Sequence, residues 1–253
     1  MSPDGVDWSV LAPAFLAGIL VLATHVPLGI EVLRRGIIFI DLAIAQIAAL
    51  GVIVAHLLDL DGGWATQGFA AVAALGGALL LTLAERRWAE IQEALIGLLF
   101  VLGASLGILL LAGDPHGGEH LKDLLAGQIL WVGSRQLLAA AAVSAAVLAA
   151  WFGLRRRLPR AGFYLLFAAT VTVSVQLVGV FLVFASLIAP AVAARGRGPG
   201  VGYAFGAAGY GLGLLASARW DLPAGAAIVC ALCGVALLGL ALAPRVARPG
   251  GMC

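Results

Sequence analysis

The chain has 253 residues, of which 62% are hydrophobic and only 11% are charged, with a formal net charge of +2. A water-soluble domain carries about 25% charged residues, so this chain has too few to cover an aqueous surface. The small net charge and the absence of a basic stripe exclude a nucleic-acid partner, and the length suits a single domain, residues 1–253, of packed helices.

A hydrocarbon core about 30 Å thick needs about 20 apolar residues in helix. That measure predicts spans over 10–33, 37–58, 66–84, 91–112, 135–152, 163–194, 201–219 and 223–243. The fold class is therefore all-α, a polytopic membrane helix bundle of about eight spans in a lipid bilayer. Before the first span, Met1 to Ser9 lacks a positive region and carries Asp4 and Asp7, so that span reads as retained rather than as a signal peptide.

The first span holds His25 near its middle and Glu31 late, and the second opens on Ile37-Ile38-Phe39-Ile40-Asp41 and runs on to Gln46. Charges inside a membrane helix are costly, and each is a functional candidate. Read as a hairpin turning at Arg35 and Gly36, the two spans put His25 and Gln46 at one depth, about 15 Å in. Glu31 and Asp41 then lie at about 6–8 Å. Imidazole, amide oxygen and carboxylate along one hairpin would suit a borderline divalent cation, because neutral imidazole fits zinc and oxygen ligands also fit manganese. The alternative keeps Glu31 and Asp41 among headgroups beside Arg34 and Arg35, with His25 bonded to a neighbouring helix.

Between the fourth and fifth spans, Asp114-Pro115-His116-Gly117-Gly118-Glu119-His120 contains the string H-x-x-E-H. In a metalloprotease that string is helical. Pro115, Gly117 and Gly118 argue for a solvated loop instead, with loose metal collection as the second reading. Segment 163–194 is too long for one straight span and has Gly179 in its middle, which predicts a broken or re-entrant helix. Thr170, Thr172, Ser174 and Gln176 precede the break, either lining a polar path or bonding between helices. Gly202, Gly206, Gly209 and Gly213 recur at helical spacing in one span, a packing face for the bundle or for a dimer. Cys230 and Cys233 form a C-x-x-C within an apolar run with no second ligand pair, and read as two small helix residues; Cys253 ends the chain.

Arginines mark alternate loops: Arg34 and Arg35, Arg86 and Arg87, Arg155 to Arg157 with Arg160, Arg195 and Arg197, then Arg245 and Arg248. Asp59 and Asp61, then Asp114, Glu119 and Asp123, then Asp221 mark the others. The pattern places the N-terminus outside and the C-terminus inside if 163–194 crosses and returns. No P-loop or G-x-S-x-G is present, and Lys122 is the one lysine. The chain is thus not expected to be an enzyme or to hold a cofactor. Uphill transport would draw on an ion gradient or on a separate ATPase.

The stretch Val32-Leu33-Arg34-Arg35 followed by Phe39 and Asp41 resembles the start of the permease subunit of zinc/manganese-type ABC importers. Ala94-Leu95-Ile96-Gly97 opening the fourth span, Leu125-Ala126-Gly127-Gln128-Ile129-Leu130-Trp131-Val132, and Asp221-Leu222-Pro223-Ala224-Gly225 extend the resemblance in order along the chain. Val178-Gly179-Val180-Phe181-Leu182-Val183-Phe184-Ala185-Ser186-Leu187-Ile188-Ala189-Pro190-Ala191 is its most specific block. The resemblance implies a homodimeric pore in a bacterial-type inner membrane, cytoplasmic ATPase subunits that use ATP, and an extracytoplasmic protein that delivers the metal. It puts coupling to the ATPase near Pro190, Arg195 and Arg197. The cargo it implies is a divalent transition metal, zinc before manganese or iron, with Asp41 at a ligand position; the depth reading adds His25, Gln46 and Glu31 as candidate ligands. A metal chelate and a gradient-driven secondary carrier are the alternatives. Two departures stand out. The family's D-x-x-x-H on the second span is here Asp41 followed by Ala45, with His25 as the expected replacement ligand; and the stretch Leu154 to Gly162 is short.

Overall fold

The computed structural model describes residues 8–60, 63–154 and 159–241. Asp4, Asp7, Asp61, Arg155 to Arg157, Arg245, Arg248 and Cys253 lie outside the described residues, as do the side chains of His120, Lys122, Asp123 and Arg160.

Among the described residues ten α-helices follow one another: α1 (Trp8–Arg35), α2 (Ile40–Leu57), α3 (Gly63–Arg87), α4 (Gln92–Leu111), α5 (Gly117–Ala126), α6 (Ser134–Leu154), α7 (Arg160–Val178), α8 (Val180–Ala193), α9 (Pro199–Trp220) and α10 (Ala224–Ala241). All but α5 and α8 are long and apolar enough to cross a membrane, which makes eight such helices among the described residues. The predicted polytopic helical bundle is the fold found. Its outer helices are poorly buried, and α4 and α6 turn Leu98, Val101, Leu138 and Phe152 outward. With no water inside a bilayer, such apolar faces meet lipid or another apolar surface.

The break in segment 163–194 falls at Gly179, where φ is +82°. A side chain is strained at such an angle, so glycine lets α7 stop and α8 restart in a new direction. The far end of α8 packs against α9, with the Pro190 carbonyl so close to Gly202 that a Cβ there would be crowded. Gly209 and Gly213 leave room for the backbone of α10 at Leu232 and Ile228. The glycine face of α9 therefore serves packing within the chain.

Two ends can be told apart by contacts between loops. At one end the Arg35 guanidinium lies 4.0 Å from the Phe163 ring centre. There too the Phe39 N–H donates to Glu93 at 3.3 Å, and Gln92 donates to the Tyr164 hydroxyl at 2.5 Å. This is the arginine end. At the other, His56 meets Asp114 and the Thr66 hydroxyl donates to the Leu60 carbonyl. Trp8, Trp64, Trp131 and Trp220 are exposed on helix ends or connections on this side, and Trp88 is exposed at the arginine end. Tryptophan at both rims is the pattern of a membrane-spanning bundle.

The solvated loop expected at 114–120 is largely helical. Pro115 and the two glycines stand before or within the first turn of α5, where helix propensity penalises them least. Asp114 Oδ1 accepts the His116 N–H at 2.8 Å, and Gly117 sits where a side chain would strike the Leu111 carbonyl. His116 thus precedes the helix and pairs at 3.7 Å with exposed Glu119.

Candidate functional site

Successive spans α1 and α2 do not pack along one another. Helix α1 lies against α8 and α9, whereas α2 lies against α3 and α4. The packed hairpin expected from the sequence is therefore absent, although both helices run from one short turn at the arginine end. The four residues meet four different surroundings.

Asp41 occupies the first turn of α2 and is wholly buried. Neither carboxylate oxygen has a hydrogen-bond partner. The helix N-terminus favours its negative charge by a modest amount. Most of the desolvation remains uncompensated, and an isolated buried carboxylate is among the costliest groups a fold can keep. Such a residue is retained for what it binds or carries.

Glu31 contrasts with it. Its carboxylate accepts from Arg35 Nε at 3.0 Å and meets Arg34 Nη1 at 3.4 Å, one turn along the same helix. Arg35 in turn covers Phe163 on α7. Glu31 is thereby part of a strut between α1 and α7.

His25 is fully buried in the middle of α1. Its Nδ1 lies 2.9 Å from the Val21 carbonyl and 3.1 Å from the Thr24 hydroxyl. Because a carbonyl only accepts, Nδ1 carries the hydrogen in the neutral ring, and the lone pair is on Nε2. Nε2 is buried and has no partner. A second nitrogen oriented by a carbonyl and left with its lone pair exposed to the interior is how proteins prepare an imidazole ligand. Gln46 is buried too, with its Cβ 3.1 Å from where a Cβ on Gly103 of α4 would lie.

Among the described residues no group of three or more His, Cys, Asp and Glu is gathered as a metal cage. Two of the hydroxyls before the break turn back on their own helix: Thr170 donates to Leu166 at 2.9 Å and Thr172 to Ala168 at 2.8 Å. Gln176 keeps a buried Nε2 without a partner. Cys230 and Cys233 are unbridged on the exposed side of α10. Of the residues assigned to coupling, Pro190 is buried within α8 and Arg195 is exposed, while Arg197 donates to the Gly239 carbonyl at 2.8 Å. Arg197 thus ties the α8–α9 turn to the end of α10.

One contact was not anticipated. His56, in the last turn of α2, meets Asp114 beyond α4, with Nε2 and Oδ2 3.3 Å apart. The two residues are 58 positions apart, and the signal available was only that both fall at span ends on the same side.

The ABC 3 transport family matches residues 7–163 and 147–243, which together take in most of the chain. The chain belongs to the ABC 3 transport family. PsaBC from Streptococcus pneumoniae, solved in complex with Fab, has a chain of similar fold with TM-score 0.78 and 23% identity, covering 94% of each chain. An inward-facing conformation of a transporter described as metal-chelate type ABC gives TM-score 0.61 and 15% identity, covering 90% of this chain and 75% of that one. No curated protein matches in sequence. Membership makes this ABC 3 chain a multi-pass membrane transport component, in keeping with the lack of any phosphate-binding loop in its sequence.

Proposed function

We propose that the chain is the permease subunit of an ABC importer for a divalent transition metal, zinc before manganese or iron. The observation that carries this reading is Asp41, a wholly buried carboxylate with neither oxygen engaged. A desolvated carboxylate at a helix start calls for a cation, and the His25 Nε2 lone pair adds a donor that zinc favours. In this reading Asp41 is the cargo ligand, His25 stands in for the histidine missing at Ala45, and Gln46 contributes on α2. Glu31 acts through Arg35, by holding α1 against α7.

Both Asp41 and His25 are sealed by their own chain, so cargo reaches them only when helices move. That requirement suits alternating access, in which one side opens while the other stays closed. ATP binding and hydrolysis in a cytoplasmic ATPase would move Arg195 and the α8–α9 turn, and Arg197 would pass the movement to α10. An extracytoplasmic binding protein would deliver the metal to the tryptophan end. Two copies of the chain would complete a site that one copy does not assemble. In this reading the arginine end faces the cytoplasm, with the N-terminus outside and the C-terminus inside, as the positive-inside rule favours.

The test is ATP-dependent uptake of radioactive zinc and manganese into liposomes containing the permease, its ATPase and its binding protein. Uptake that needs ATP and is lost in Asp41→Asn supports the reading and names the metal. Uptake without the ATPase would favour a carrier driven by an ion gradient. Failure with both metals, while the ATPase remains coupled, would refute it.

A further inference from the structure

Helices α3 and α4 are joined by a short turn at the arginine end, yet each packs on α2 and they barely touch one another. The gap between them is a groove of about 630 Å³, within the range of small-molecule sites. Leu80, Leu83 and Ala84 line it from α3, and Leu95, Leu98 and Leu102 from α4. Both sets follow helical spacing, so each helix turns one apolar stripe into the groove. Leu80, Leu83, Leu98 and Leu102 are each more than half exposed, so this chain leaves the groove unfilled.

The mouth of the groove has a different character. Arg86 and Arg87, in the last turn of α3, line it together with Trp88. Arg87 continues the α3 stripe three residues beyond Ala84, about 10 Å along the axis from Leu80. Both arginines are exposed, and among the described residues neither has an ion-pair or hydrogen-bond partner. The nearby acids do not neutralise them. Glu85 is hydrogen-bonded to Tyr164 on α7, Glu93 accepts the Phe39 N–H, and exposed Glu90 pairs with neither arginine. Arginine at a helix C-terminus and at a membrane rim is expected on general grounds. That expectation does not place two unpaired guanidiniums and an indole over an unfilled apolar groove. Guanidinium forks bind phosphate, indole settles at the headgroup level, and the leucines below them meet hydrocarbon.

We propose that this groove holds one anionic phospholipid, with its phosphate on Arg86 and Arg87 and an acyl chain along the leucine stripes. The site shares no residue with Asp41 or His25, and it needs only that the chain lies in a bilayer, not that it imports metal. Basic pockets between membrane helices select acidic headgroups. A zwitterionic headgroup brings its own cation, which the two arginines repel, whereas an anionic one leaves its phosphate free for them.

Native mass spectrometry of the purified full-length chain tests it, with phosphatidylglycerol and phosphatidylcholine of identical acyl chains as probes. Wild type is expected to retain one phosphatidylglycerol per chain in preference to phosphatidylcholine. Arg86→Gln combined with Arg87→Gln should weaken phosphatidylglycerol roughly twentyfold, about fivefold for each arginine, and leave phosphatidylcholine unchanged. Arg86→Lys with Arg87→Lys keeps the charge and should keep most of the preference. Ala84→Phe places a ring in the groove and should weaken both lipids, with the thermal midpoint reporting a folded protein. Arg135→Gln removes a charge at the other end and should have no effect. Equal retention of both lipids by wild type, or a preference that survives the double glutamine variant, would overturn the proposal. Full displacement of the lipid by soluble glycerol phosphate would also overturn it, because the groove would then contribute nothing. So would a lipid-free dimer that Ala84→Phe splits, since a second copy would then fill the groove. None of these readouts involves a metal, so they are decided apart from the importer reading.

Discussion

Asp41 and Glu31 are two carboxylates near the same end of the bundle, and they differ in one respect that separates function from structure. Glu31 holds two arginines, one of which also covers an aromatic ring on α7. Asp41 holds nothing, although it is the more deeply buried of the two. A buried charge with its partners in place explains itself as architecture. A buried charge without partners weakens the fold, and it persists because something else uses it.

The largest effect should come from Asp41→Asn. Breaking one side of a desolvated ion pair costs about 3 kcal/mol or more, so uptake at low metal should fall roughly a hundredfold. Stability should move the other way. Removing an uncompensated buried charge should leave the thermal midpoint of the purified permease unchanged or higher. An Asp41→Asn protein that transports normally would erase the distinction between the two carboxylates.

How far the sequence foretold this site depends on which physical rule applied. Hydropathy over about 20 residues located every long span, because a bilayer imposes one length on any helix that crosses it. Gly179 marked the break, since few other residues tolerate its backbone angle. Asp41 was legible as a charge in an apolar run. Its lack of a partner was not, because that depends on α3, α4 and α7 closing around α2. The assumed hairpin misled for a related reason: a short turn fixes where two helices join, while side-chain packing decides whether they stay together. Helix α5 was hidden by Pro115 and two glycines, which oppose a helix only when they lie beyond its start. The His56–Asp114 contact spans 58 positions and had no local signature at all.

His25→Ala should give an intermediate effect. The ring is fully buried, Nδ1 is anchored to the Val21 carbonyl, and Nε2 is left without a partner. If Nε2 is a cargo ligand, uptake should fall about tenfold, near 1.4 kcal/mol, and zinc should suffer more than manganese because imidazole matters more to zinc. Equal uptake in wild type and variant would mean that His25 does not replace the histidine absent at Ala45. The contrast would then rest on Asp41 alone.

The smallest effect on transport belongs to Glu31→Gln, and it should appear mainly in stability. The amide keeps the shape of the side chain but weakens its hold on Arg34 and Arg35. Arg34 is mostly solvated, so its pair adds little; Arg35, only 30% exposed and stacked on Phe163, adds more. A loss of about 1 kcal/mol should lower the thermal midpoint by roughly 2–4 °C. Added salt should narrow that gap, since screening already weakens the native pair. Uptake should stay within about fivefold of wild type, because a change of about 1 kcal/mol alters a transport equilibrium no further. The two variants thus make a crossed pair: Asp41→Asn removes uptake and spares stability, whereas Glu31→Gln lowers stability and spares uptake. If Glu31→Gln instead abolished uptake in a protein of normal stability, Glu31 would belong with Asp41 on the cargo path, and its arginines would be partners that it exchanges for the metal.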